Sequence, residues 1–230
     1  MSLILQIETA TTSCSVALAR DGKVLDFKQI NARNIHAEVI TLYIDELLNN
    51  AGINYNDLDA IAVSSGPGSY TGLRIGVSTA KGLCFALDKP LIAIETLEAM
   101  AYGVINSTGF VADTNMLLCP MIDARRMEVY TALFDTAGNR VRETAADIID
   151  ENSFADYLRD HKILFFGDGA EKCKSVLSEN PNAAFLDDFI NSATYLTQKA
   201  AQKFTGGAFE DVAYYEPYYL KDFIAGKKAL

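Results

Sequence analysis

The order in which strand and helix patterns follow one another constrains the fold of this chain more than any other feature. Three strand patterns joined by short turns come first, and helices and strands then alternate. The predicted strands of this part are 3–8, 13–20, 23–30, 58–64 and 91–94, and the predicted helices are 36–49, 71–87 and 95–105. A three-stranded meander followed by alternating helices and strands predicts a mixed sheet covered by helices.

The second half of the chain repeats this order loosely. Its predicted strands are 116–122, 128–134 and 162–166, with a further hairpin turn at 136–139, and its predicted helices are 152–158, 170–177 and 192–204. The polar, glycine-bearing stretch 106–115 marks a boundary between the halves. We therefore predict two related α/β domains, residues 1–107 and 108–230, and leave open whether the last residues return to the first domain.

The charge balance argues against a chain that binds nucleic acid alone. Twenty Lys and Arg against thirty Asp and Glu give a formal charge of −10, which repels phosphate backbones. We therefore expect any contact with tRNA to be indirect, through a partner.

Targeting segments and metal ligands are scarce in this sequence. The apolar run after Met1 is broken by Glu8, and no stretch approaches the roughly 20 apolar residues of a membrane span. We expect a cytoplasmic protein that does not enter a membrane. The four cysteines are far apart and only two histidines are present, so we expect reduced core thiols and no metal site.

The helix predicted at 71–87 carries small residues on one face. Gly72, Gly76 and Ala80 recur every four residues, although each interior glycine costs roughly 1 kcal/mol relative to alanine. Something must pack tightly against this face, and the sequence leaves open whether it is the chain's own core or another subunit. Together with the broadly apolar helix 36–49, the face favours a two-helix surface for a protein partner or a second copy. The residues predicted for this surface are His36, Ile40, Tyr43, Ile44, Leu47, Gly72, Arg74, Ile75, Gly76, Thr79 and Ala80.

Two turns correspond to the phosphate loops of nucleotide-binding proteins. Residues 8–13 bend between two strands, where sugar kinases, actin and heat-shock ATPases place a first phosphate loop, but Glu8 and Ala10 replace the Asp and Gly of those loops. Bulky side chains at 123–126 replace the glycines of the second loop. We favour a local ion-pair network at 123–126 over an anion clamp. Residual nucleotide contacts, if any, are assigned to Thr11, Thr12, Asp123, Arg125, Gly167 and Gly169.

Three segments together resemble one family. Residues 7–11 (IETAT), 65–76 (SGPGSYTGLRIG) and 122–130 (IDARRMEVY) are similar to the TsaB, or YeaZ, family. The matching segments lie in the first 130 or so residues, and the later half agrees mainly in element order and in the closing 216–220 (EPYYL). Lys221 stands where the family usually has arginine, and Glu8 where it usually has aspartate.

The resemblance implies a duplicated actin/Hsp70-like (ASKHA) fold of two mixed-sheet α/β domains. It also implies a part in making N6-threonylcarbamoyladenosine (t6A) at position 37 of tRNA. In that family the subunit is not the catalyst: it pairs through its N-terminal helices with TsaD, which holds the metal and transfers the threonylcarbamoyl group, and the ATPase TsaE joins the pair. By this resemblance ATP or ADP is expected only at the interface with a partner.

These observations favour a non-catalytic scaffold subunit that binds and activates TsaD and that can form a homodimer through the same helices when alone. One alternative is a small nucleotide-dependent kinase or ATPase that uses Thr11, Thr12, Asp123 and residues 167–169. A second is the glycopeptidase activity once attached to the wider family, which needs a metal or an activated nucleophile.

Overall fold

The computed structural model describes residues 1–221, which contain ten strands and six α-helices. In chain order they are β1 (Leu3–Glu8), β2 (Ser13–Arg20), β3 (Lys23–Asn31), α1 (His36–Ala51), β4 (Ala60–Ser64), α2 (Tyr70–Leu87), β5 (Leu91–Ile94), α3 (Thr96–Ile105), β6 (Met116–Asp123), β7 (Glu128–Asp135), β8 (Arg140–Ile148), α4 (Ala155–Asp160), β9 (Lys162–Phe166), α5 (Ala170–Leu177), β10 (Ala183–Leu186) and α6 (Thr197–Thr205). Two 3-10 helices, Tyr55–Asp57 and Ala193–Leu196, precede β4 and α6.

The strands form two five-stranded sheets of the same topology. The first has the order β3-β2-β1-β4-β5, in which β1 pairs antiparallel with β2 and parallel with β4. The second has the order β10-β9-β6-β7-β8, in which β6 pairs antiparallel with β7 and parallel with β9. Each strand of one sheet therefore has a counterpart in the other, and the prediction of two related mixed α/β halves is confirmed.

Helices cover both faces of the first sheet. Ile44 of α1 and Val77 of α2 pack against strand residues such as Leu5 on one face. The other face is covered by Leu196 and Ala200, near the end of the described chain. A β-bridge between Leu91 and Glu210 also ties this late segment to the first sheet. The boundary at residues 107 and 108 stays a prediction, and residues 222–230 lie outside the described residues.

Alternate residues of β6 face two different helix layers. Leu118 and Ile122 pack with Leu97 and Met100 of α3, which comes from the first half of the chain. Leu117, Cys119 and Met121 instead join the core formed with α4 and α5. The helix α3 therefore packs on the second sheet while the late helix α6 packs on the first. Within residues 1–221, no helix is both long and apolar enough to cross a bilayer.

Candidate functional site

The loop between β1 and β2 is held by short side-chain bonds to its own backbone. The Ala10 amide donates to Glu8 Oε1 at 2.6 Å, and the Ser13 amide donates to Thr11 Oγ1 at 3.2 Å. The Thr12 hydroxyl donates to Asn31 Oδ1 at 2.8 Å on neighbouring β3. Glu8 thus stands where a phosphate loop has aspartate, and its carboxylate accepts a hydrogen bond from the backbone of its own loop.

Glu8 is fully buried, and this changes its acidity. Burial raises the pKa of the Glu8 carboxyl from 4.5 to about 7, because the charged form loses its hydration. The Ala10 amide and the nearby side chains of Ser64 and Asn191 offset part of this effect by favouring the ionised form. Among residues 1–221, the Oε2 atom of Glu8 has no hydrogen-bond partner. The group is therefore poised to gain or lose a proton near neutral pH.

The turn between β6 and β7 is an ion-paired structure. Asp123 accepts a hydrogen bond from the Lys172 ammonium of α5 and another, at 2.9 Å, from the Arg125 amide. Arg125 and Arg126 have φ values of 71° and 49°, and both side chains are exposed. In the described part of the chain neither arginine forms an ion pair, so the prediction of an ion-pair network within 123–126 is wrong, because Asp123 pairs with Lys172 of α5 instead.

A small pocket lies where the β1–β2 loop meets the turn before α5. Its volume is about 40 Å³, and its polar lining comes from Thr11, Thr12, Ser13, Asn31, Asp168 and Asn191, together with Gly167. A nucleotide-sized ligand occupies a pocket of roughly 300–1,000 Å³. This pocket is thus several times smaller than a typical nucleotide site.

The predicted residual nucleotide residues are only partly brought together. Thr11, Thr12 and Gly167 line this pocket, but Asp123, Arg125 and Gly169 do not. A Cβ atom on Gly169 would lie 3.0 Å from the Asp123 amide nitrogen, so these two residues pack against each other. Asn191 was missed by the sequence reasoning, because nothing in its local sequence links it to a loop about 180 residues earlier.

The small residues of α2 pack against the chain's own first strand and its loop. A Cβ atom on Gly72 would lie 2.1 Å from the carbonyl oxygen of Thr9, and one on Gly76 would lie 2.2 Å from the Thr9 hydroxyl. Ala80, on the same face, is fully buried. Close packing on this face is confirmed. The expectation that Gly72, Gly76 and Ala80 contact a partner is wrong, because they lie in the core of the first half.

The predicted contact residues of α1 need the same correction. Ile40, Ile44 and Leu47 are buried in the core beneath α1 and α2. His36 is also buried, and its Nε2 atom lies 2.9 Å from the carbonyl oxygen of Thr11. Since a carbonyl only accepts, Nε2 donates this bond. These four residues support the helix from beneath and are not part of an accessible surface.

Four other predicted residues remain at the surface of the helix pair. Arg74 is exposed, while Tyr43, Ile75 and Thr79 are half-buried. The Arg74 guanidinium lies over the ring of Tyr70, 4.2 Å from its centre, at the start of α2. Contact of these four residues with a partner stays a prediction.

The structure adds two apolar side chains to this surface. Phe85 of α2 is 86% exposed and Leu42 of α1 is 57% exposed. Large apolar side chains in water mark a surface that another protein can cover. The sequence did not single out Leu42, because the helix 36–49 is apolar over more than one face. We call Leu42, Tyr43, Arg74, Ile75, Thr79 and Phe85 the helix-pair surface.

Potential metal ligands are dispersed in the described part of the chain. Residues 1–221 contain no group of three His, Cys, Asp or Glu side chains able to hold a metal ion. The four cysteines are free and buried. Burial raises the pKa of the Cys14 thiol to about 12, and the nearby Glu8 carboxylate acts in the same direction.

A family model described as "TsaD: tRNA N6-adenosine threonylcarbamoyltransferase" matches residues 29–221. The tRNA threonylcarbamoyladenosine biosynthesis protein TsaB of Escherichia coli (strain K12) is 32% identical over 235 residues, which cover 98% of this chain and 97% of that protein.

The solved structures extend this similarity to the fold. YeaZ from Pseudomonas aeruginosa superposes with a TM-score of 0.81 at 26% identity, covering 96% of this chain and 100% of that one. The activator of the 2-hydroxyisocaproyl-CoA dehydratase from Clostridium difficile shares only the fold, with a TM-score of 0.51 at 9% identity over 89% of this chain and 97% of that chain. The predicted duplicated actin/Hsp70-like α/β fold is confirmed.

Proposed function

Since the chain belongs to the TsaB (YeaZ) family of tRNA threonylcarbamoyladenosine biosynthesis proteins, we propose that it is a non-catalytic subunit of t6A37 modification that binds and activates TsaD. The observation that carries this proposal is the helix-pair surface, on which Leu42 and Phe85 stand in water above a well-packed core. The ion-paired turn at Asp123 and the small pocket beside Thr12 support a subunit without its own nucleotide chemistry.

The interface we propose differs from the one first expected. It uses exposed and half-buried side chains, while Gly72, Gly76 and Ala80 fix α2 against β1 from below. A helix held in this way presents its outer face in one position, which lowers the ordering cost of binding. TsaE would join the pair, a second copy would cover the same surface when TsaD is absent, and tRNA would be contacted only through TsaD.

Charged substitutions on the helix-pair surface should abolish this interaction. For Leu42→Glu and Phe85→Glu we expect at least a tenfold loss of TsaD affinity each, or about 1.4 kcal/mol or more, because each buries an unpaired charge in the complex. The double variant should lose t6A formation in a reconstituted reaction that depends on adding this chain. Titration calorimetry with TsaD measures the first effect.

The matched control is Val111→Glu, which places the same charge on an apolar side chain that is 79% exposed and lies far from the helices in sequence. It should bind TsaD as the wild type does. Unchanged affinity of the Leu42 and Phe85 variants would show that TsaD binds elsewhere.

A second measurement distinguishes the non-catalytic subunit from the kinase or ATPase alternative. We expect calorimetry of the isolated chain with ATP and Mg²⁺ to show no binding in the micromolar range and no turnover. The double variant Asp123→Ala and Arg125→Ala should still restore t6A formation when it replaces the wild type. Micromolar binding with turnover, or loss of activity in this variant while TsaD binding is kept, would favour an active nucleotide site.

A further inference from the structure

The end of the described chain lies along one side of α2. The Lys81 ammonium donates hydrogen bonds to the carbonyl oxygens of Ala213 and Tyr215, at 3.3 and 2.9 Å. Nearer the start of the helix, Arg74 Nε donates to the Tyr219 hydroxyl at 3.4 Å. Residue numbers rise along this late segment as they fall along α2, so the two run antiparallel and in contact.

The backbone of the late segment is fixed around residue 214. Asp211 Oδ1 accepts hydrogen bonds from the amides of Ala213 and Tyr214, at 2.8 and 3.3 Å. The Asp211 carbonyl oxygen accepts a third, at 2.8 Å, from the Tyr215 amide. The side chains of Val212 and Tyr215 pack against the core of the first half. This turn therefore holds residue 214 in one place on the surface.

Tyr214 carries its side chain into water, next to the exposed aromatic residue of α2. Its side chain is 85% exposed, while Val212 and Tyr215 are half-buried. Phe85, which is as exposed as Tyr214, lies four residues beyond Lys81 and therefore on the same face of α2. Lys81 binds the backbone on both sides of Tyr214, so the two exposed aromatic side chains belong to one stretch of surface.

A tyrosine on a fixed turn is well suited to contact another protein. Its side chain has few rotatable bonds, so it loses little conformational freedom when a partner covers it. Phe85 already belongs to the helix-pair surface, and Tyr214 continues that surface beside α2. A protein that covers Phe85 would therefore meet Tyr214 as well.

The charge of the late segment indicates the chemistry of the surface that covers it. Residues 210–220 contain three acids, Glu210, Asp211 and Glu216, and neither Lys nor Arg. The ammonium of nearby Lys81 is bound to backbone carbonyls. An acidic rim is complemented by Lys or Arg on the opposing surface, whereas a second copy that placed the same segment opposite would be repelled.

We propose that TsaD covers Tyr214 together with Phe85, and that its surface at this place carries Lys or Arg opposite Glu210 and Glu216. This inference rests on the proposed function and extends it. It adds to the two helices a third contact element, which comes from the other end of the described chain.

Titration calorimetry of the full chain with TsaD tests the contact. Tyr214→Ala should weaken TsaD binding at least about tenfold, because the complex buries this aromatic side chain. Val111→Ala, which shortens another largely exposed side chain, should bind as the wild type does. Unchanged affinity of Tyr214→Ala, while Phe85→Glu loses affinity, would overturn this inference alone. Unchanged affinity of both variants would overturn the proposed function as well.

Two charged variants at the same position test the chemistry of the TsaD surface. Both remove the aromatic ring, but Tyr214→Glu should bind TsaD several-fold more tightly than Tyr214→Lys, because Lys or Arg on TsaD attracts the first and repels the second. Added salt should reduce this difference. Equal affinities, or tighter binding of Tyr214→Lys, would show that the opposing surface is not basic.

Sedimentation of the chain without TsaD tests a second copy as the occupant. Tyr214→Ala should have the same oligomeric state as the wild type, because the acidic segment is not covered by a copy of itself. A shift towards monomer, together with unchanged TsaD affinity, would assign Tyr214 to a contact between two copies and overturn the proposal.

Discussion

Gly72→Ala and Gly82→Ala, two identical changes in one helix, are expected to shift stability in opposite directions. A methyl group at Gly72 would lie 2.1 Å from the Thr9 carbonyl oxygen, a backbone atom that cannot rotate away. Overpacking of this kind costs about 3 kcal/mol, which outweighs the gain of up to about 1 kcal/mol from replacing a helical glycine. At Gly82 nothing lies within 4 Å of the added methyl group, so only the gain remains.

Urea unfolding at constant pH, followed by circular dichroism, measures both changes. Gly72→Ala should lower the free energy of unfolding by a net of about 2 kcal/mol and Gly82→Ala should raise it by up to about 1 kcal/mol. Equal stabilities of the two variants would show that α2 does not rest on the Thr9 loop as described. A bulky residue at Gly76 should for the same reason unfold the chain, so it cannot serve as a test of partner binding.

Much of the fold was predictable from local patterns. The strands Leu91–Ile94 and Lys162–Phe166 were predicted with the observed bounds, because turns delimit short apolar runs. The strand Ala183–Leu186 was missed, since its four residues are half-buried at most and it forms only the edge of the second sheet. Its pairing with β9 depends on tertiary contacts that no local pattern records.

The direction in which a helix face points was not predictable in the same way. Gly72, Gly76 and Ala80 show that something comes close, but spacing alone does not say whether it is Thr9 of the same chain or another protein. The exposed Phe85 lies in the same helix, outside the face that carries these small residues. Whether a helix face packs on the chain's own core or contacts a partner depends on where the first sheet lies, and local sequence does not give that position.

The candidate site shows the same division between local and distant information. Glu8 was noticed because it stands where a phosphate loop has aspartate, yet its burial depends on the segment around Asn191. Packing of the late helix over β1 seals this end of the strand from water, with Gln6 accepting a hydrogen bond from Thr197 at 3.2 Å. The environment of Glu8 is thus set by residues from the other end of the described chain.

Burial of Glu8 should make the stability of this protein fall as the pH rises through neutrality. The pKa of Glu8 is raised from 4.5 to about 7, so between these values the folded state holds a proton that the unfolded state has released. Folding therefore becomes less favourable with rising pH, by a total of about 3 kcal/mol from below 4.5 to above 7. Other ionisable groups also make stability depend on pH, so a variant is needed to isolate the contribution of Glu8.

Glu8→Gln keeps the shape of the neutral acid and removes the titration. At pH 5 the variant and the wild type should be close in stability, and at pH 8 the variant should be the more stable by about 3 kcal/mol. Urea unfolding at several pH values measures the difference in stability between the variant and the wild type. Half of the change in this difference should have occurred at a pH between 4.5 and about 7. A constant difference from pH 5 to 8 would mean that Glu8 stays hydrated in the folded chain. In that case Glu8, which stands where a phosphate loop has aspartate, would be an ordinary solvated acid and not a buried group whose charge opposes folding.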